Sequence, residues 1–332
     1  MVEAPALTRV IDVIRCLIGD EAYGLEMAWV RRIDRADHLR LQPGPGGAVG
    51  VLPDVDGDIP VFSLANQLDR PQAANENGTG LIPHILVLNG DPGPLGLLVD
   101  RVSPSQRVPA TSFLSLPALV ADSSTRYFRG VIKLDKEMML WLAPERLIPA
   151  GTPTWESRGP DDEEGPPVDR LPRRHRDLES RRQAEGQLVI FSTTDSAERK
   201  RPISFGLSIN QVLEILDLPP LIPVPGAPET IVGLVAWHDR ALPVIDLGLR
   251  LGLPRLTADA RTRLMIARAA SSSDPVGFLV RPLVRVRGLP LPHLPCRQAP
   301  PVEPSLIRGA MELKDETLVI PDIARVLDIH SA

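Results

Sequence analysis

The sequence predicts an all-β protein with a few short helices, built from two similar units. One observation is a repeat. VGVLPDVDGDIPVFSLANQLDRP (Val49–Pro71) returns in the C-terminal half as VGLVAWHDRALPVIDLGLRLGLP (Val232–Pro254). The glycines Gly50 and Gly233 of these segments lie 183 residues apart. The other observation is that short apolar runs alternate with turn sequences, and the 25 Gly and 36 Pro among 332 residues suit many strands joined by tight turns.

Three further blocks repeat in the same order along the chain. They are Tyr23–Met27 with Phe205–Ile209, Leu95–Val99 with Val276–Val280, and Phe128–Val131 with Ile307–Ala310. Their offsets of 182, 181 and 179 residues differ by only a few positions, as expected for one fold used twice with insertions in loops. We therefore predict two domains, at residues 8–149 and 186–329.

Residues 150–185 separate the two repeats and have a different composition. They contain five prolines, an acidic run at 161–164 and a basic cluster within 170–182, with almost no apolar periodicity. Such a segment buries too little apolar surface to offset the entropy lost on ordering. It is predicted to be a charged, Pro-rich linker.

Within each repeat, the elements follow from the spacing of apolar runs and turns. Strands are predicted at 9–18, 48–52, 59–64, 84–88, 95–101, 131–134 and 138–142, and in the second repeat at 187–193, 231–236, 242–247, 263–267, 276–281, 310–313 and 317–320. Short helices are predicted at 64–68, 143–148, 247–251 and 323–327. Pro60 and Pro243 are expected beside a strand, since proline lacks the N–H that a central strand needs. Many short strands with few helices indicate small barrels.

Charge and composition exclude several function classes. The net charge is −5, with 14 basic against 19 acidic side chains in residues 1–157 and 16 against 15 in residues 186–332. Without a large basic face, nucleic acid is not an expected partner. No stretch has the apolar length needed to insert in a membrane. Cys16 and Cys296 lie in opposite halves and suit a reducing compartment, so we expect a cytoplasmic protein.

Three short patterns were weighed as chemical sites. His238 and Asp239 are neighbours in a turn with no accompanying nucleophile, so they do not predict catalysis. His293 and Cys296 have ligand-like spacing, but no further ligands cluster with them. The Gly-rich stretch 42–47 lacks the Lys-Ser/Thr of a phosphate-binding loop. The sequence therefore predicts no catalytic, cofactor-binding or metal-binding residues, and no enzyme.

The repeated pattern resembles the CheW-like domain of bacterial chemotaxis. The Gly–apolar–apolar stretch followed by Pro-Val resembles that family's central block. LGLLVDRV (Leu95–Val102) resembles its Gly-apolar-apolar-Val-Asp-x-Val strand, and RGVIKLDKEMMLWLAPERL (Arg129–Leu147) resembles its closing hairpin and helix. The resemblance covers about residues 8–148 and 186–329.

The resemblance implies both a fold and a function. Each CheW-like domain is expected to be a pair of small, SH3-like five-stranded barrels. The expected function is that of a non-enzymatic adaptor that couples the regulatory domain of a chemotaxis histidine kinase to the cytoplasmic tip of methyl-accepting receptors. Other CheW-like proteins are further expected partners. A cytoplasmic protein of this kind would be recruited to membrane-associated receptor arrays.

The sequence departs from the family at two positions that bear on partners. The family's Asn-Leu-Arg-Gly turn before Pro-Val is replaced by Pro53–Asp56 and by Ala236–Asp239, so its Arg is absent in both repeats. The acidic position of the Val-Asp-x-Val strand is occupied by Asp100 in the first repeat, but by the base Arg281 in the second. The candidate interaction residues are Val55, Asp56, Pro60, Val61, Val99, Asp100, Val102, Trp237, His238, Arg240, Pro243 and Val244.

Two alternatives stay open at this point. Trp237 is either an exposed interface residue or a cap on a barrel core. The loss of the turn Arg from both repeats also favours a second function, a structural interaction protein of a pilus or motility system that keeps the fold without standard kinase coupling.

Overall fold

A computed structural model describes residues 9–55, 57–71, 82–90, 93–121, 125–135, 137–147, 187–193, 202–269, 274–288, 300–314 and 316–329. The chain divides into two compact units, in which residues 224–227 and 236–241 of the C-terminal half group with the N-terminal half and the rest of the C-terminal half forms the second unit. The predicted linker at 150–185 lies outside the described residues, so the domain boundaries stay a prediction. Within the described residues, no helix is long and apolar enough to cross a membrane.

The first copy of the repeat contains strands β1–β13 and helix α1. Their bounds are β1 (Val10–Ile18), β2 (Glu21–Glu26), β3 (Val30–Arg35), β4 (Arg40–Leu41), β5 (Gly50–Leu52), β6 (Ile59–Ser63), α1 (Leu64–Gln67), β7 (His84–Leu88), β8 (Leu95–Val99), β9 (Arg101–Val102), β10 (Gln106–Pro109), β11 (Phe113–Ser115), β12 (Phe128–Lys133) and β13 (Met138–Leu142). One sheet has the order β10-β1-β2-β13-β12-β11, with β9 also paired to β1, and the other has the order β3-β7-β8-β6-β5-β4.

The second copy repeats this plan with fewer, longer strands. Its elements are β14 (Gln187–Ser192), β15 (Ile203–Ser208), β16 (Val212–Asp217), β17 (Ile231–Trp237), β18 (Arg240–Ile245), α2 (Leu247–Arg250), β19 (Arg263–Arg268), β20 (Pro275–Gly288), β21 (Ile307–Glu312), β22 (Thr317–Pro321) and α3 (Ile323–Val326). Because β20 pairs with β14 along one half and with β18 and β19 along the other, all nine strands form one connected sheet. Counting β20 twice gives two groups of five strands, consistent with paired SH3-like barrels.

Equivalent strands pair in the same register in the two copies. Strands β6 and β8 are parallel with Val61 opposite Gly96, and β18 and β20 are parallel with Val244 opposite Gly277. The closing strand pairs in parallel with the second strand of each copy, as β13 with β2 and β22 with β15. The all-β class and the repeated fold predicted from the sequence are therefore confirmed.

The repeated glycines of the central block are explained by close backbone contacts. A Cβ on Gly50 would lie 2.4 Å from the carbonyl oxygen of Arg40, and one on Gly233 would lie 2.5 Å from that of Ile222. Backbone atoms held in a sheet cannot move aside as a flexible side chain can. Only glycine therefore fits at either position.

Most of the predicted elements were confirmed, with three corrections. The strand predicted at 95–101 is interrupted at Asp100, which separates β8 from β9. The helix predicted at 143–148 is a single 3₁₀ turn at Pro144–Arg146. Pro60 and Pro243 lie inside β6 and β18 rather than beside them. Pairing with the parallel neighbour begins one residue later, at Val61 and Val244, so the missing N–H lies outside that ladder.

Candidate protein-interaction site

The turn between β5 and β6 presents an exposed valine on a braced backbone. Val55 is 98% exposed. The carboxylate of Asp54 accepts hydrogen bonds from the backbone N of Val55 at 2.9 Å and from Nη1 of Arg32 at 3.0 Å. The hydrogen bond from Arg32 holds the pKa of the Asp54 carboxyl below its usual range. Asp56, the other candidate in this turn, lies outside the described residues.

The equivalent turn of the second copy, between β17 and β18, carries larger side chains. The ring of His238 lies edge-on to that of Trp237, with centroids 4.4 Å apart. His238 is exposed and has a φ of +53°, which a non-glycine residue adopts mainly in tight turns. Trp237 and Arg240 are half-buried, and both alternatives for Trp237 stay predictions.

The Pro-Val pairs lie in the strands that follow these turns. Val61 and Val244 are both 0% exposed, Pro243 is buried and Pro60 is half-buried. Val61 packs in a cluster with Leu52, Ile59 and Ile85. As they lie in the core, the two valines position the turn and do not offer contact area to a partner.

The Val-Asp-x-Val strand of the first copy braces a turn of its own domain. Oδ2 of Asp100 accepts a hydrogen bond of 2.7 Å from the backbone N of Gly19, which has a φ of +56° in the turn between β1 and β2. Val99 is 1% exposed and Val102 is half-buried. The geometry thus gives Asp100 a role in holding the β1–β2 turn.

Arg281 occupies the equivalent position in the second copy and braces a different loop. It is 6% exposed, and its Nη1 donates to Oδ1 of Asp259 at 2.7 Å, while its Nη2 donates to the carbonyl of Thr257 at 3.2 Å. Asp100 and Arg281 therefore each bind a loop to the equivalent strand of their own copy. The chain also bends at Asp100, where β8 ends, whereas β20 continues through Arg281.

Sequence reasoning missed an arginine between two tryptophans in the first copy. The guanidinium carbon of Arg129 lies 5.5 Å from the ring centroid of Trp29 and 5.6 Å from that of Trp141. Its Nη2 lies 3.0 Å from the carboxylate of Glu145. In the sequence Arg129 is only part of the Arg-Gly block, because Trp29 lies 100 positions away and no pattern connects the two residues.

Sequence reasoning also missed two edge strands, β3 and β16. Nothing in the sequence indicates that these two strands end their sheets. In the structure Ile33 of β3 is 41% exposed, and Leu213 and Ile215 of β16 are 40% and 38% exposed. Large apolar side chains on an edge strand are a signal of protein contact.

Metal-binding and thiol chemistry can be assessed for the described residues. In the parts of the chain that the structure describes, no three His, Cys, Asp or Glu side chains come together as metal ligands would. Cys16 is buried, and desolvation raises the pKa of its thiol to about 12, so it is a core residue with little thiolate at neutral pH. The second cysteine, Cys296, and His293 lie outside the described residues.

Comparison with known proteins agrees with the two-copy architecture. The model of the CheW-like domain matches the chain twice, at residues 12–151 and 191–330. The chain belongs to the CheW-like domain family. Its two CheW-like copies cover most of its length.

Two CheW proteins are similar to parts of this chain. It is 23% identical over 132 residues to the chemotaxis protein CheW of Treponema pallidum (strain Nichols), a match that covers 40% of this chain and 78% of the relative. It also matches the crystal structure of a CheW scaffolding protein from Thermoanaerobacter tengcongensis, with 20% identity and a TM-score of 0.37, over 48% of this chain and 94% of that one.

Proposed function

We propose that this chain is a non-enzymatic adaptor that couples the regulatory domain of a chemotaxis histidine kinase to the cytoplasmic tip of methyl-accepting receptors. The observation that carries the proposal is the presence of the CheW-like domain twice in one chain. The curated relative is named a chemotaxis protein, which supports a role in chemotaxis signalling.

Two linked copies suit a coupling role because the second contact becomes intramolecular. Residues 150–185, if they act as the predicted linker, reach roughly 30 Å as a flexible chain. That reach allows the copies to engage neighbouring sites in an assembly. A cytoplasmic location at membrane-associated arrays is part of this proposal.

The two copies are proposed to bind different partners. The turn of the first copy presents the small apolar Val55, whereas the second presents the ring of His238 beside Trp237. A partner that fits one turn would meet a different shape and charge at the other. One copy would then hold the kinase and the other the receptor.

Substitutions in the two turns test this assignment in the full-length chain. Val55→Glu and His238→Glu each place an acid on an exposed turn without touching the core. Binding of the kinase regulatory domain and of the receptor tip is measured by titration calorimetry. Each variant is expected to weaken one of the two partners by at least about tenfold, or about 1.4 kcal/mol, and to leave the other unchanged.

Matched controls and a clear negative outcome are available. Ala121→Glu in the first copy and Ala258→Glu in the second add the same charge at exposed loop positions away from the turns, and neither should change binding. If the unmodified chain binds neither partner, kinase–receptor coupling is wrong. A structural role in a pilus or motility system would then be favoured.

A further inference from the structure

Strands β3 and β16 occupy equivalent edges of the two copies. β3 ends the six-stranded sheet of the first copy and β16 ends the nine-stranded sheet of the second. Among the described strands, each pairs with one neighbour, β3 with β7 and β16 with β19. Their outer edges therefore carry backbone groups that can pair with another strand.

The two edges share an exposed apolar centre. Ile33 and Ile215 stand at equivalent positions, 182 residues apart, and are 41% and 38% exposed. Leu213, two residues before Ile215, is 40% exposed. Burying this apolar surface against another strand would be favourable at either edge.

The charges around this apolar centre are opposite in the two copies. β3 reads VRRIDR, with three arginines and one aspartate, whereas β16 reads VLEILD, with two acids and no base. Two arginine positions of the first copy, Arg32 and Arg35, are Glu214 and Asp217 in the second. One edge is therefore basic and the other acidic.

The outermost charges remain accessible. Arg32 is held by Asp34 and Asp54, but the side chain of Arg35 is 61% exposed and lies 3.6 Å from Asp37. The side chain of Asp217 is 92% exposed, with Nε of Arg263 at 3.2 Å. Exposed ion pairs such as these two contribute little to stability, so they exchange readily for a pair across an interface.

Both edges also carry a bulge, which limits how much of each can pair. The register shifts between Val30 and Arg32 in β3 and between Val212 and Glu214 in β16. Regular edge pairing is thus confined to Ile33–Arg35 and Ile215–Asp217. Pairing of like edges would place Arg35 near Arg35 or Asp217 near Asp217, whereas pairing of unlike edges brings opposite charges together.

We propose that β3 of one molecule pairs edge to edge with β16 of a second copy of this chain. The contact is heterologous, because each molecule uses a different edge. Since every molecule carries both edges, the contact repeats and produces head-to-tail chains that grow with concentration. The proposal is independent of kinase and receptor binding, because its readout is self-association of the protein alone.

The test uses sedimentation velocity on the full-length protein and two single-edge variants. Ile33→Asp removes the β3 edge and Ile215→Asp removes the β16 edge. The unmodified protein is expected to increase in mean mass with concentration, and each variant alone to stay monomeric. An equimolar mixture of the two should form a one-to-one dimer and nothing larger, because only one competent edge of each kind remains.

Each other result overturns the proposal. A monomeric unmodified protein at every concentration shows that the edges do not pair between molecules. A variant that dimerises alone shows pairing of like edges. A mixture that stays monomeric shows that β3 and β16 are not complementary.

Charge-reversal variants are a second test. They change only exposed side chains and are therefore expected to leave the fold intact. Arg35→Asp and Asp217→Arg should each weaken self-association by about tenfold, and the two together in one chain should restore it, since the basic and acidic edges then exchange roles. Added salt should weaken association of the unmodified protein. Ala121→Asp, at an exposed loop position outside both edge strands, is the matched control and should change nothing. Failure of the double variant to restore association contradicts the assignment of these charges.

Discussion

The two copies hold the same scaffold with different chemistry at equivalent positions. In the first copy, the hydroxyl of buried Tyr23 donates to Glu21 at 2.6 Å, and Glu21 lies 2.9 Å from Nε of Arg70. In the second copy, the same three positions are Phe205, Ile203 and Leu253, all buried. The polar link between β2 and Arg70 in the first copy is replaced by three buried apolar side chains in the second.

The difference shows where the repeat tolerates change. Positions that fix the backbone, such as Gly50 and Gly233, are the same in both copies because no other residue fits. Positions that support a loop, such as Asp100 and Arg281, differ because either charge can hold a loop when a suitable partner is near. Turns and edges differ most, and these are the surfaces at which we propose that partners bind.

Exchange of the loop-bracing charges should give the largest effect on stability. Arg281→Asp places an acid beside Asp259 in a buried site and removes the hydrogen bonds to the 257–262 loop, at an expected cost of about 3–5 kcal/mol. The reverse exchange, Asp100→Arg, loses one hydrogen bond at a half-buried site, at about 1 kcal/mol. Hydrogen exchange resolved along the chain measures each copy separately. Equal costs in the two copies would contradict the different burial of the two positions.

Substitution of the shared glycines should affect both copies alike. Gly50→Ala and Gly233→Ala each force a Cβ against a backbone carbonyl, and we expect a loss of about 2–4 kcal/mol in the copy that carries the change. Gly93→Ala is the matched control, since nothing lies within 4 Å of the added carbon. Chemical denaturation monitored by hydrogen exchange gives the free energies. A neutral result at either glycine would show that the strands can separate without cost.

Exchanging the two buried aromatic residues, Tyr23 and Phe205, should lower the free energy of unfolding by smaller amounts that differ between the copies. Phe205→Tyr adds a hydroxyl to an apolar site, and an unsatisfied hydroxyl costs about 1–3 kcal/mol. Tyr23→Phe removes one hydrogen bond but leaves Glu21 with Arg70, at about 0.5–1.5 kcal/mol. The free energy of unfolding of each variant decides the order. A more costly Tyr23→Phe would mean that the polar link stabilises the first copy more than its geometry implies.

Acid should act on the turn of the first copy through Asp54. Because hydrogen bonding from Arg32 lowers the pKa of this carboxyl in the folded state, its contribution to stability is present above the ordinary pKa and is lost as pH falls through the lowered value. Asp54→Asn should remove this part of the pH dependence below about pH 4 and leave the second copy unchanged. Exchange rates of the 53–58 turn as a function of pH give the readout. An unchanged pH profile in the variant would exclude the Arg32–Asp54 contact in solution.

Much of the fold could be predicted because the repeat gives each element twice. The glycines, the Pro-Val pairs and the hairpin turns depend on local backbone geometry, which short sequence patterns encode. The breadth of each sheet could not be predicted. The short strands β4 and β9–β11 have too few residues to show a pattern, and β20 reads as one strand only when its pairing with both β14 and β19 is known.

The candidate site was less predictable because burial depends on contacts between distant parts of the chain. Val61 and Val244 belong to a recognisable pattern, yet they lie in the core. Asp100 looks like a surface acid until its bond to Gly19, 81 residues earlier, is seen. The exposed Ile33 and Ile215 could not be distinguished in the sequence from core residues of a strand.

We propose that this one chain couples a kinase to a receptor through two differently specialised CheW-like copies. Analytical ultracentrifugation of the full-length chain with the kinase regulatory domain and the receptor tip, each labelled with a different dye, tests this directly. We expect a complex in which the labelled kinase domain and the labelled receptor tip sediment together only when the chain is present. Competition between the two partners for the chain, or sedimentation of either label unaffected by it, would contradict the account.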